Sequence, residues 1–177
     1  VESAKPPALY AAQDDKMNLQ GILAGTAGLS VAAFVALLLT ALRKPVDDAA
    51  ARERAVRLFL IGLAAQSLHF MEEFVTRFQD RFPALLSLPA WSNNFYVIFN
   101  LLWMCVWILS AVAWQKGSRL AFFPVSFFAL ASIANGIGHP VLAVLVHGYF
   151  PGLVTSPVVG IIGVLLFVRL LRLTRSP

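Results

Sequence analysis

Apolar residues in this chain gather into long runs separated by short polar punctuation. A helix needs about 20 apolar residues to cross the hydrocarbon core of a bilayer. Five runs approach or exceed that length, at about 18–42, 55–78, 93–114, 120–147 and 153–171. Residues 1–16 are polar, contain Pro6-Pro7, and read as an irregular or surface-lying lead. Residues 43–54 read as a highly charged loop opening on Arg43-Lys44-Pro45, and Pro83 and Pro89 mark a second loop. Lys116, Gly117 and Arg119 make a short turn, Tyr149-Phe150-Pro151-Gly152 another, and an Arg-spaced tail follows. Pro140 interrupts the fourth run, where its ring and missing N–H disturb a helix. The pattern predicts an all-α fold: a polytopic membrane helical bundle of five transmembrane helices, forming one domain over 1–177.

Composition agrees. Of the 177 residues, 59% are hydrophobic and 13% charged, with a mean hydropathy of +0.75. Soluble domains have about 45–50% apolar and about 25% charged residues, so this chain has too few charges to clothe a water-facing surface. The net charge of +5 does not point to nucleic acid, because Lys and Arg sit between the apolar runs and no nucleic-acid module is present. Cys105 is the sole cysteine, which excludes an intrachain disulfide or a thiolate cluster. The first run is long for a signal-peptide core.

The basic residues instead predict orientation. Arg43, Lys44, Arg52, Arg54, Arg57, Lys116, Arg119, Arg169, Arg172 and Arg175 fall on one side of the five-span layout. Lys5, Lys16, Arg77 and Arg81 fall on the other. Positive residues stay inside, so the N-terminus is expected outside and the C-terminus in the cytoplasm, in a cytoplasmic (inner) membrane. Small residues at helical spacing, Gly21, Gly25 and Gly28 in the first span and Gly160 and Gly163 in the fifth, predict close helix packing.

The second span carries unexpected polarity. On a helical wheel with His69 at zero, Glu73 falls at about +40°, Glu72 at about −60°, Thr76 at about −20° and Gln66 at about +60°. One stripe is polar and the rest is Leu, Phe, Ile, Val and Ala. An ionised carboxylate at mid-bilayer costs about 2.5–3.5 kcal/mol even on a lenient scale, so the stripe must face the bundle interior or a wet cavity. Glu73 stacks with His69, while Glu72 lies to one side and can serve a different partner. Arg77, at i+4 from Glu73, can pair with it. The competing reading is a buried His–Glu–Arg network that only fixes helix packing, but ionisable residues within membranes usually mark function.

The fourth span adds Asn135 and His139 at i, i+4, with Gly136 and Gly138 around them. His147 lies eight residues after His139, about 12 Å away in an unbroken helix, and joins the same metal only if the helix breaks. By the topology above, His69, Glu72, Glu73, His139 and His147 all sit toward the outer side. Asn93 and Asn94 open the third span there. The Tyr149 turn, with Thr155 after it, caps the same face. It can also direct the Tyr149 hydroxyl into the polar pocket.

His69-Phe70-Met71-Glu72-Glu73 resembles the signature of the HXXEE-motif membrane proteins, which also have a further histidine and a Tyr-x-Pro-Gly motif. Tyr149-Phe150-Pro151-Gly152 resembles the latter, and His139 or His147 supplies the histidine. The resemblance runs from the second span to the start of the fifth. It implies that these positions act as a unit, and it implies no activity, since the family's function is unknown.

Three functions remain. In a metal-dependent membrane enzyme, His69, Glu73 and His139 ligate zinc or iron with a position left for water. His147 is a secondary ligand candidate, and Glu72 a further ligand or general base. Glu72, Glu73, His69 and Tyr149 are the catalytic candidates, supported by Asn135, Gln66, Arg77 and Thr155. A cavity in such a bundle suits a lipophilic small molecule, such as a lipid or isoprenoid ester or amide, and hydrolysis is favoured over oxidation. Alternatively, His69 and Glu73 move a proton without a metal. Their His-x-x-x-Glu spacing loosely resembles that of sterol isomerases of the emopamil-binding type. The third reading is a binding, transport or accessory subunit. Five spans are unusual for an inverted-repeat transporter.

Overall fold

The computed structural model describes residues 19–45 and 48–175. The polar lead, with Lys5 and Lys16, lies outside the described residues. Six α-helices follow in order: α1 (Leu19–Leu42), α2 (Ala49–Val75), α3 (Phe78–Leu85), α4 (Asn93–Gln115), α5 (Phe122–Leu145) and α6 (Ser156–Arg172). Two two-residue strands, β1 (Lys44–Pro45) and β2 (Thr174–Arg175), pair antiparallel.

Local chemistry places the ends. Asp48 caps α2 by accepting from the Ala51 N–H at 2.8 Å, so the second half of the expected charged loop is helix. Ser92 caps α4 in the same way. Gly117, at φ 81, closes α4, with the Ser118 N–H bonded to the Ala113 carbonyl. In α1 the hydroxyls of Thr26, Ser30 and Thr40 bond back to carbonyls four residues earlier, which hides their polarity inside the helix.

The structure corrects three expectations. Beyond residue 78, where a loop is expected, the chain forms the short helix α3, which contains Pro83. Pro140 does not interrupt α5, which runs on to Leu145. Finally, among the described residues four helices rather than five are long and apolar enough to cross a membrane: the one containing Gly25–Leu42, then Ala49–Val75, Asn93–Gln115 and Arg119–Leu145. With 17 residues, α6 rises about 26 Å, short of the about 30 Å hydrocarbon core.

The hub is α5, which packs on α6, α1 and α4, while α2 packs on α4 and α6. Gly136 and Gly160 bring α5 and α6 together, and a Cβ on Gly136 would lie 2.6 Å from the Gly160 Cα. Gly163 is equally tight against the Ala129 carbonyl. Gly28 does not fulfil its packing role, since nothing approaches it within 4 Å. The interior is aromatic and aliphatic, with Phe59, Phe122, Phe128, Leu166 and Leu170 fully buried. The exterior is apolar too, and exposes Val31, Phe34, Leu68, Leu102, Leu109 and Val144.

The two ends of the bundle differ. At one end Arg43 donates to Thr174 and to the Leu171 carbonyl, Arg169 to the Arg54 carbonyl and Arg119 to the Thr40 carbonyl. These bonds gather the basic segments together. At the other end lie the C-terminus of α2, α3, the start of α4 and the 146–155 turn.

Candidate functional site

The polar stripe of α2 splits between two environments. Glu72 faces the turn before α6. Its Oε1 accepts from the Tyr149 hydroxyl (2.7 Å) and the Val154 N–H (2.9 Å). Its Oε2 accepts from the Thr155 N–H (2.8 Å) and the Thr155 hydroxyl (2.6 Å). Four donors use the roughly four lone-pair sites a carboxylate offers. Glu72 therefore ties the Tyr149-Phe150-Pro151-Gly152 turn to α2 and is not free to act as ligand or base. Tyr149 belongs to this lock. Burial, followed by its bond to Glu72, raises the Tyr149 hydroxyl above its ordinary value of 10.0, so it remains a donor at neutral pH.

Glu73 points inward. It is buried with His69 and His139, which are 0% and 4% exposed. Its Oε1 lies 3.5 Å from His69 Nε2 and 3.2 Å from His139 Nε2. Its Oε2 accepts from the Tyr96 hydroxyl at 2.7 Å, which leaves Oε1 for the histidines. One ligand atom from each of the three residues lies within 4.8 Å of the others.

The tautomers follow from the partners. His139 Nδ1 lies 2.6 Å from the Pro151 carbonyl, which only accepts, so Nδ1 carries the proton. Thr155 has a single hydroxyl proton and gives it to Glu72. Toward His69 Nδ1, 2.8 Å away, it must therefore accept, and that nitrogen too carries a proton. In each neutral ring Nε2 then presents a lone pair toward Glu73 Oε1. His69 Nε2 is buried and has no hydrogen-bond partner. Three acceptors facing one point repel unless a cation or proton lies among them. Metal-bound histidines characteristically donate their other N–H to a carbonyl or carboxylate. Two ligand atoms about 2.1 Å from a tetrahedral ion lie about 3.4 Å apart, close to the two Nε2–Oε1 distances. The set of two histidines and one carboxylate could hold a metal ion.

Gly152 makes the arrangement possible. Its φ is +84, and a Cβ there would lie 2.5 Å from the His139 ring and 2.9 Å from the His69 ring. Only glycine lets this backbone lie over both imidazoles. Phe78 and Phe150 close in on His139 from the sides.

Other expected members lie elsewhere. His147 is exposed and takes φ 52 at the end of α5, where the Gly148 N–H bonds the Ala143 carbonyl. It is the left-handed cap of an unbroken helix, so it cannot reach His139's site. Arg77 does not pair with Glu73. The helix ends before it, it takes φ 67, and its side chain pairs with Asp80. Gln66 and Asn135 line a cavity that also borders Glu73. Tyr96 was missed in the sequence, and Pro151 and Gly152 were read there only as part of the capping turn. Tyr96 was discoverable, because Asn93, Tyr96 and Asn100 repeat at helical spacing along an apolar run.

Comparison with known proteins gives one match. The family described as "Protein of unknown function with HXXEE motif" matches residues 60–167. Neither the curated proteins nor the solved structures return a match.

Proposed function

The chain belongs to the HXXEE-motif family, and for it we propose an integral membrane enzyme. It depends on a divalent metal held by His69, Glu73 and His139, and it hydrolyses a lipophilic substrate. The observation that carries the proposal is the convergence of two buried Nε2 atoms, their Nδ1 protons already committed, on one oxygen of Glu73. Zinc or iron bound there would supply Lewis acidity and an acidified water. The chain's own groups do the rest. Thr155 and the Pro151 carbonyl fix the imidazole orientations, and Tyr96 keeps Glu73 presenting Oε1. Phe78 and Phe150 exclude bulk water, while Gln66 and Asn135 orient the substrate beside Glu73. In the overall reaction, water adds across the substrate's acyl C–O or C–N bond and releases an acid and an alcohol or amine. The facial two-histidine, one-carboxylate set also serves non-haem iron oxidation, and metal identity separates the two.

In this reading α6 crosses the membrane as a fifth, short span. It runs beside the whole length of α2, from the Thr155–Glu72 bonds to the Arg169–Arg54 bond. The basic end then faces the cytoplasm with the C-terminus, in the cytoplasmic (inner) membrane, and the metal site lies toward the outer side.

Elemental analysis of protein purified without chelator tests the proposal. About one zinc or iron per chain is expected, lost in both His69→Ala and His139→Ala. A metal-free wild type that takes up no added metal overturns it. The same 3.2 and 3.5 Å approaches also suit a proton shared between Glu73 and a histidine. Full turnover in chelator would select that acid–base reading.

A further inference from the structure

Resting on that enzymatic reading, we propose that the cavity beside Glu73 is the substrate chamber. It takes a neutral lipid bearing an ester, amide or alcohol oxygen, which reaches it sideways from the bilayer between α1 and α4.

The cavity extends from Glu73, Phe78 and Trp91 at the site end to Trp107, Phe127 and Phe128 deeper in the bundle. Along α4 its lining runs from Phe95 to Trp107, about 18 Å of helix. Its volume of about 130 Å³ is roughly ten times the 10–15 Å³ that admits one water. It is therefore large enough to admit part of a ligand.

Its mouth faces lipid. The floor is α5, where Phe127, Phe128, Ala131 and Ser132 are buried. The rims are Ile22, Thr26 and Leu29 of α1 and Phe95, Phe99 and Trp103 of α4, all half-buried. Helix α1 leans on α5 and makes little contact with α4, so the two rims face each other across the gap. Just outside the rims, Leu23, Ile98 and Leu102 are more than half exposed and apolar. A ligand arriving this way never leaves an apolar medium.

The wall specifies the ligand's polarity. Trp91 Nε1, Trp107 Nε1 and Ser132 Oγ are buried without a hydrogen-bond partner, and all three residues line the cavity. Unmade hydrogen bonds are costly in an apolar setting. Two of these groups are indole N–H donors, which only an acceptor can satisfy. Among the described residues the lining contains no Lys or Arg, and its one charged residue is the acid Glu73. Without the metal, an anion such as a fatty-acid carboxylate meets no Lys or Arg here and faces Glu73, whereas a neutral ester, amide or alcohol oxygen can accept from the Trp91 and Trp107 N–H groups.

Three of the four tryptophans, Trp91, Trp103 and Trp107, line this cavity, so intrinsic fluorescence reports on it directly. The test titrates detergent-solubilised protein, stripped of metal with chelator, with a bromine-labelled fatty-acid methyl ester and, separately, with the same labelled free acid at pH 8. Saturable quenching by the ester is expected, reversed by excess unlabelled ester, with the acid at least about tenfold weaker. Ala131→Leu, which narrows the floor, should weaken ester quenching at least about fivefold while leaving the melting curve cooperative. Ester quenching that unlabelled ester cannot displace, or equal quenching by the acid, overturns the proposal. His69→Ala separates the two readings, since it should lose metal yet keep ester quenching. Wild-type protein that quenches but binds no metal would sink the metal site and leave the chamber standing.

Discussion

Glu72 and Glu73 are neighbours in sequence and belong to two differently built regions. Around Glu72 the polar groups are complementary: four donors meet two oxygens, and the turn 149–155 is fastened to α2. Around Glu73 they are not, since two imidazole nitrogens and a carboxylate oxygen confront one another in a buried space. A satisfied region is architecture. A buried region whose acceptors outnumber its donors needs something more, and that deficit is why we propose a metal at Glu73. The regions are joined through the Thr155 hydroxyl, which donates to Glu72 and accepts from the His69 Nδ1–H.

Substitutions can break that division of labour. The largest effect is expected from His69→Ala, His139→Ala or Glu73→Gln, each lowering metal affinity by more than about 100-fold. That exceeds the about 10–100-fold typical of the partners behind a ligand, and titration calorimetry with zinc measures it. Gly152→Ala comes next, because its methyl meets both rings and its φ is +84. A loss of about 2–4 kcal/mol is expected in denaturant unfolding, together with a weakened metal site. Thr155→Val removes the link between the regions and should cost about 10–100-fold in metal affinity. Thr155→Ser, which keeps the hydroxyl, should restore it, and a serine variant as weak as the valine one would reduce the link to packing. Arg43→Ala, at the basic end, should cost about 1 kcal/mol and leave metal affinity untouched. The smallest effect concerns Tyr149. Its hydroxyl is raised by burial and by its bond to Glu72, so its contribution is present below its unfolded value near 10 and fades as pH rises through the folded one. The stability difference between wild type and Tyr149→Phe should therefore stay constant from pH 7 to 9 in thermal melts.

Much of this was legible from periodicity. The 3.6-residue repeat separates Glu73, stacked on His69, from Glu72, and it joins Asn135 to His139. Helix α4 begins where its hydropathy places it, at Asn93, because Ser92 is a local cap. Elements decided by short-range competition were less legible. Arg77 was expected to continue α2 and instead ends it in a left-handed conformation, and α3 forms in a stretch whose prolines read as loop. His147 ranked below His139 as a ligand, and could join it only if the helix broke between them. Only the unbroken course of α5 past Pro140 puts one in the site and the other on the surface.

The sequence by itself determined that this chain is a bundle of apolar helices with one polar stripe, because hydropathy and helical period are local properties. It also determined which glutamate accompanies His69. Tertiary structure alone decided the rest. It brought His139 to Glu73 from 66 residues away in sequence, laid Gly152 across both rings, and supplied Tyr96, Thr155 and the Pro151 carbonyl as the partners that set each proton. Those contacts depend on how α2, α4, α5 and the 146–155 turn converge, and no spacing within a single helix encodes that convergence.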